Sequence, residues 1–184
     1  MATRKYHKSR VNDWFLKNQF SDVKIQTACG NFVLAHKNRL ASASPVFEEM
    51  FVHASEESSV ELDNVKYSEF VEILRYIYTG KIIEYNDSNF MSKVLIAANE
   101  LMIFGLKADM ERILANNINI DNVIKLFTLA DRHTALYLKM ETLKFIERNI
   151  TDVVTTHDMK ALPADLTCQI LPAVLAVGTD SQYK

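Results

Sequence analysis

The chain has 184 residues, 48% of them hydrophobic, and sets 21 lysines and arginines against 23 aspartates and glutamates for a formal charge of -2. This length suits one medium domain, or one domain with a small appendage, and the apolar content is enough for a real core. The charge balance leaves no broad cationic field for a polyanion, which excludes nucleic acid as the main partner, and no run nears the roughly 18 apolar residues of a membrane span.

Arg4, Lys5, Lys8 and Arg10 read as a solvated basic tail, followed by a short helix with Trp14, Phe15 and Leu16. Phe20-Ser21-Asp22 leads into Val23-Lys24-Ile25-Gln26, whose alternation suits a half-buried strand, and Cys29-Gly30-Asn31 is a hairpin turn. The return strand Phe32-Val33-Leu34-Ala35 runs through His36-Lys37 into a helix with Leu40 and Ala43. That helix stops before Pro45, because a residue preceding proline avoids helical geometry, and Pro45 starts the next one.

From Pro45 to Phe51, Val46, Phe47, Met50 and Phe51 share one side while Glu48 and Glu49 face out. A polar loop from Ala54 to Ser59 precedes a short strand, Val60-Glu61-Leu62, and a turn at Asp63-Asn64. Tyr67 to Thr79 is a helix on Phe70, Ile73, Leu74 and Ile77, ended by Gly80. The next helix begins at Ser88, carries Met91, Val94, Leu95, Ala98, Leu101 and Met102 inward, and ends at Gly105. Leu106 to Asn117 starts again with Met110, Ile113 and Leu114, giving a helical hairpin.

Beyond Ile118 the pattern is helical only: Asp121 caps a helix through Arg132, and Ala135 to Asn149 makes another with Leu136, Leu143 and Ile146 inward. Asp165 to Val177 holds a last helix around Pro163 and Pro172. Four glycines and three prolines are too few for a turn-rich all-β fold, so the expected class is α+β followed by an all-α part.

The string Phe20-Ser21-Asp22-Val23, Phe32 through Ala35-His36-Lys37, Leu40-Ala41-Ser42, Ser44-Pro45-Val46-Phe47, Met50-Phe51 and Ile77-Tyr78-Thr79-Gly80 resembles the BTB/POZ family, with all elements in order. Leu129-Ala130-Asp131-Arg132-His133 and the helix after it are similar to the speckle-type POZ protein and its relatives. The resemblance implies a small sheet flanked by helices, with a tail and short helix over 1–19, a BTB/POZ domain over 20–117, a three-box or partial BACK extension over 118–177 and a tail over 178–184. It also implies a homodimer, a non-catalytic role as a cullin-3 ubiquitin ligase adaptor feeding proteasomal degradation, and no cofactor. Relatives of this type carry a substrate-binding MATH domain in front of the BTB. The stretch before Trp14 is too short for one, so the expectation is a fragment or a BTB-only relative, with substrates taken through an absent or unidentified domain.

By the same resemblance, Asp22 and Lys37 form a charged pocket at the dimer interface, beside Trp14, His36 and Leu40. A buried charge tolerates desolvation only when paired, and a pair on a symmetry axis fixes how two chains meet. The alternative is that Asp22 caps a turn and Lys37 is a solvated helix residue. The family's cullin contact is a hydrophobic-any-Glu motif after the helix that holds Met50. Here that loop reads Ala54-Ser55-Glu56-Glu57-Ser58, which puts Ser55 at the hydrophobic position, or shifts the anchor to Ala54, with Glu56 and Glu57 as the acids. A BTB scaffold without ligase contact is therefore the competing function.

Other motifs carry no chemistry of their own. Asp131-Arg132-His133 lies at a helix end, where a cation complements the helix dipole. His7, His36, His53, His133 and His157 show no metal-ligand spacing. Cys29 and Cys168 lack a CxxC partner, which points to a reduced compartment, nucleus or cytoplasm. Cys168 reads as a small core residue, and Met91, Met102 and Met110 as core packing.

Overall fold

The computed structural model describes residues 14–53, 59–83 and 87–171. The chain divides into two compact units, the first combining 1–86 with 93–106 and the second 87–92 with 107–184.

The first unit is built on a three-stranded sheet ordered β2-β1-β3, made of β1 (Val23–Thr27), β2 (Phe32–Ala35) and β3 (Ser59–Leu62). β1 pairs antiparallel with β2, Ile25 opposite Val33, and parallel with β3, Ile25 opposite Val60. Val23, Ile25 and Thr27 are buried, the two-residue period of a strand packed on one face. The hairpin closes over Ala28, Cys29 and Gly30, with the Gly30 N–H donating to the Thr27 carbonyl and Gly30 at φ 74. That is a three-residue loop whose last position needs the left-handed region, which glycine enters without steric cost.

Three helices accompany the sheet in the first unit, α1 (Lys37–Ala43) and α2 (Pro45–His53) between β2 and β3, and α3 (Tyr67–Thr79) after β3. Ser44 joins α1 to α2. Its hydroxyl accepts the Phe47 N–H (3.2 Å), capping α2, and donates to the Leu101 carbonyl (2.5 Å). Phe47 and Phe70 are fully buried, their rings meeting edge-on with centroids 6.3 Å apart. Lys66 precedes α3 and has no side-chain acceptor, so only the Glu69 half of a capping box forms, its carboxylate taking the Lys66 N–H. Gly80 ends α3 at φ 65 as expected.

α4 (Ser88–Glu100) ends five residues before Gly105, earlier than its apolar pattern suggests. Met102 takes the left-handed position at φ 52, with Ile103 N–H bonding the Ala98 carbonyl and Met102 N–H the Asn99 carbonyl. This is a Schellman closure with methionine where glycine is usual, and it leaves Met102 exposed instead of in the core. Gly105 lies inside α5 (Phe104–Asn116), where a Cβ would run into the Tyr76 hydroxyl.

The second unit is helical: α6 (Val123–Arg132), α7 (Leu136–Arg148), α8 (Ile150–Val153), α9 (His157–Lys160) and a helix over 164–171. Val123, Phe127, Ile146, Val153, Leu166 and Ile170 are at the centre of its core. Asn119 and Asn122, not Asp121, organise the entry to α6: the Asn119 side-chain Oδ1 accepts the Asp121 and Asn122 N–H groups, and the Asn122 side-chain Oδ1 accepts the Asn119 N–H. Leu136 is 69% exposed, because the buried stripe of α7 runs through Leu138, Thr142 and Ile146. Cys168 is exposed as well, two residues from both inward-facing Leu166 and Ile170 and so on the opposite side of its helix. The expected last helix is described through Leu171, and 172–177 lie outside the described residues.

The α6–α7 turn is held by α5. The Lys107 ammonium donates to the His133 (2.8 Å) and Thr134 (3.1 Å) carbonyls at the end of α6, and Glu111 Oε2 accepts the Tyr137 (2.9 Å) and Leu138 (3.2 Å) N–H groups at the start of α7. Each charge meets the helix end of opposite partial charge. Thr134, at φ 52, makes the second non-glycine Schellman closure. Glu111 is buried, so Glu111→Ala should cost about 1–3 kcal/mol by stranding the buried Leu138 N–H and the part-buried Tyr137 N–H, and Glu111→Gln less because an acceptor remains, both read by urea denaturation. Met102→Gly should instead raise stability by about 0.5–1 kcal/mol, since the left-handed penalty of a side-chain-bearing residue disappears.

Candidate functional site

A polar cluster lies where β1, α1 and α3 approach the segment ahead of the sheet. His36 is 4% exposed and uses both ring nitrogens: Nε2 is 3.0 Å from the Gln19 carbonyl and Nδ1 is 2.7 Å from the Tyr78 hydroxyl. A carbonyl can only accept, which assigns the proton to Nε2 and leaves Nδ1 to accept from Tyr78. The Tyr78 oxygen in turn accepts the His36 backbone N–H at 3.1 Å. Half-buried Trp14 stacks on the imidazole with ring centroids 5.3 Å apart. Arg39 donates through Nη2 to the Ile77 carbonyl, and its Nε is buried with no partner among the described residues.

Asp22 Oδ1 accepts the Lys37 backbone N–H at 2.7 Å, capping α1 from the strand side. Within the chain the carboxylate therefore meets the Lys37 main chain, whereas the Lys37 ammonium lies 5.9 Å over the Phe51 ring. Leu40 is fully buried, and like His36 it supports the surface from beneath; Trp14, Asp22 and Lys37 are the expected interface residues with solvent access. Two neighbours escaped the sequence reading. Leu16 and Phe20 are exposed and take φ of 55 and 61, a region that side-chain-bearing residues rarely enter. No hydrophobic period marks them, because the segment has no regular structure beyond two turns, closed by Lys17 N–H to the Trp14 carbonyl and Ser21 N–H to the Asn18 carbonyl.

A second surface lies at the end of α2. Half-buried Met50 lines a groove of about 240 Å³ with Val46, Leu62 and Leu101, rimmed by the acidic Glu61, Asp63 and Glu100. Ser55, Glu56 and Glu57 lie outside the described residues. Among the described residues no group of histidine, cysteine, aspartate or glutamate side chains could hold a metal ion, and no helix is long and apolar enough to cross a membrane. Asp131 of the Asp-Arg-His string is bound to the Lys139 ammonium at 2.5 Å.

The profile of the BTB/POZ domain family matches residues 11–118. The chain belongs to the BTB/POZ family. Over 146 residues it is 32% identical to TD and POZ domain-containing protein 2 of the mouse, a match covering 78% of this chain and 40% of that protein's length. The BTB domain of human gigaxonin is similar in structure at a TM-score of 0.50 and 26% identity, over 60% of this chain and 92% of that one. The BTB domain of zebrafish PATZ1 has the same fold at a TM-score of 0.50 and 23% identity, over 57% and 85%. The α+β fold expected from the resemblance is thus the one present. BTB domains are protein-interaction modules that commonly self-associate.

Burial pushes the Tyr78 phenol above its ordinary value, more than the His36 N–H and Arg39 lower it, with Asp22 adding to the rise. A raised phenol stabilises the fold fully below the unfolded value of about 10 and loses that contribution as pH climbs through the folded one. Denaturation between pH 8 and 11.5 should show wild-type stability falling above pH about 10, and falling less steeply in Tyr78→Phe.

Proposed function

We propose that this BTB/POZ chain is a homodimeric adaptor of the cullin-3 ubiquitin ligase type, which brings substrates to ubiquitination and proteasomal degradation. The observation that carries self-association is the strip of Leu16 and Phe20 beside Asp22 and Lys37. Phe20 is 75% exposed in a strained backbone conformation, and burial against a second copy would offset both costs. About a two-fold axis, the Lys37 ammonium would pair with Asp22 of the second copy, a self-complementary arrangement of the kind such symmetry produces. Trp14, His36 and Leu40 would shape the same interface from within each chain.

The cullin-3 N-terminal domain would use the Met50 groove and the loop holding Ser55, Glu56 and Glu57, with residues 20–117 as the BTB domain and 118–177 as a three-box or partial BACK extension of the speckle-type kind. Substrates would enter through a segment or surface outside these two. Ser55 favours a second reading, a BTB scaffold that dimerises without ligase contact, since a missing apolar anchor costs about 1–2 kcal/mol at an interface, roughly tenfold in affinity.

Light scattering should give a dimer for the wild type and a monomer for the paired Leu16→Asp and Phe20→Asp variant. In calorimetric titration, the cullin-3 N-terminal domain should bind the wild type, and Ser55→Met should tighten binding about tenfold. Binding by Ser55→Met alone selects the scaffold reading. Silence from both, with the dimer intact, removes the adaptor reading.

A further inference from the structure

We propose that the basic tail over residues 1–13 docks on the Met50 groove of its own chain, with the Tyr6 ring seated in the groove and the cations flanking Tyr6 against the acidic rim. The groove is the one proposed above for the cullin-3 N-terminal domain, but the contact does not rest on that reading. Its floor is Leu62, Val65 and Leu101, each at most 6% exposed, and its walls are half-buried Val46 and Met50. A space of about 240 Å³ admits one large side chain at a time, which suits an extended segment with a single anchor. Glu61, Asp63 and Glu100 stand exposed around it, and among the described residues none of the three has an ion pair. Lys66, beside Val65, offsets one of these charges, while the Lys24 ammonium is held over the Phe32 ring. An apolar floor inside an anionic rim is complementary to an apolar anchor set among cations.

The tail has that composition. Tyr6 is its one large aromatic residue, and Arg4, Lys5, Lys8 and Arg10 all lie within four residues of it, against the single acid Asp13. Tyrosine suits the position because its ring is apolar and its hydroxyl can stay wet at the rim. The tail joins the described structure at Trp14, which stacks on His36; the next residue, Lys37, places its ammonium over the ring of Phe51, the neighbour of Met50. The path from Trp14 to the groove is therefore a few side chains long, and the eight residues from Tyr6 through Asp13 extend to about 28 Å. Trp14 stays in place, so the strip proposed for self-association is undisturbed. A short tether supplies an effective concentration on the order of millimolar, and a contact too weak to hold a separate peptide is still populated. A partner that enters the groove has to displace the tail, and its apparent affinity falls by the fraction of chains left open.

The Met50 methyl group is the reporter. In the full chain labelled at its methionine methyls, the Met50 signal is identified by its loss in Met50→Leu. It should lie upfield of its position in Tyr6→Ala, because in the wild type it faces the tyrosine ring. Raising salt from about 0.1 to 1 M shortens the screening length from about 10 to 3 Å and should move the wild-type signal to the Tyr6→Ala position. Reversal of the tail by Arg4→Glu, Lys5→Glu, Lys8→Glu and Arg10→Glu together should do the same at low salt. Adding Glu61→Lys, Asp63→Lys and Glu100→Lys to that chain should return the signal upfield. Four outcomes overturn the proposal: wild-type and Tyr6→Ala signals that coincide; a wild-type signal that salt and tail reversal leave in place; a tail reversal that rim reversal does not correct; and a labelled tail-reversed chain whose signal returns upfield when unlabelled wild type is mixed in, which gives the groove to the tail of a second copy.

Discussion

The Glu111 carboxylate, buried and accepting the Tyr137 and Leu138 N–H groups, exemplifies the constraint on which the described structure rests: helix ends inside a protein need partners, and short helices have few of their own. One turn earlier on α5, Lys107 does the same for the carbonyls of His133 and Thr134. Two side chains four residues apart, of opposite charge, therefore set the reversal between α6 and α7, and the core of Val123, Phe127 and Ile146 assembles behind it. In the first unit the same demand is met by Asp22 at the start of α1 and by Ser44 at the start of α2, the latter also satisfying the Leu101 carbonyl.

These caps bear on function because they decide which polar groups remain for partners. Asp22 is committed through one oxygen to main chain, and the Lys37 ammonium is not bound to it, so a pairing across two chains needs no internal ion pair to be broken. His36 is committed through both nitrogens and contributes shape and electrostatics beneath the surface. Strain is concentrated in the segment around Leu16 and Phe20, the place where exposed apolar side chains and the polar cluster meet. A surface of that kind suits contact with another protein, which agrees with membership of a family of interaction modules.

Most elements were legible because their periods are clean. The alternation of Val23, Ile25 and Thr27, the turn at Gly30, the Phe70-Ile73-Leu74-Ile77 face and the Gly80 stop all follow from local sterics and side-chain spacing. The differences have two causes. Met102 and Thr134 occupy left-handed positions that local preference assigns to glycine, so the apolar pattern alone extends α4 too far and puts Met102 in the core. Leu136 and Cys168 are apolar residues on helices, for which local pattern favours an inward position, yet the stripe that packs is chosen by the neighbouring elements.

What the sequence determined alone was the family string from Phe20 to Gly80, the order of strands and helices, and the residue types available for a charged interface. Only the tertiary structure decided that β1 pairs parallel with β3, that Glu111 and Lys107 cap helices far along the chain, and that the Asp22 carboxylate meets the Lys37 N–H and not its ammonium. The physical reason is that periodicity and turn chemistry act within a few residues, whereas these bonds join groups from 15 to more than 30 residues apart, whose meeting depends on packing that no local window contains.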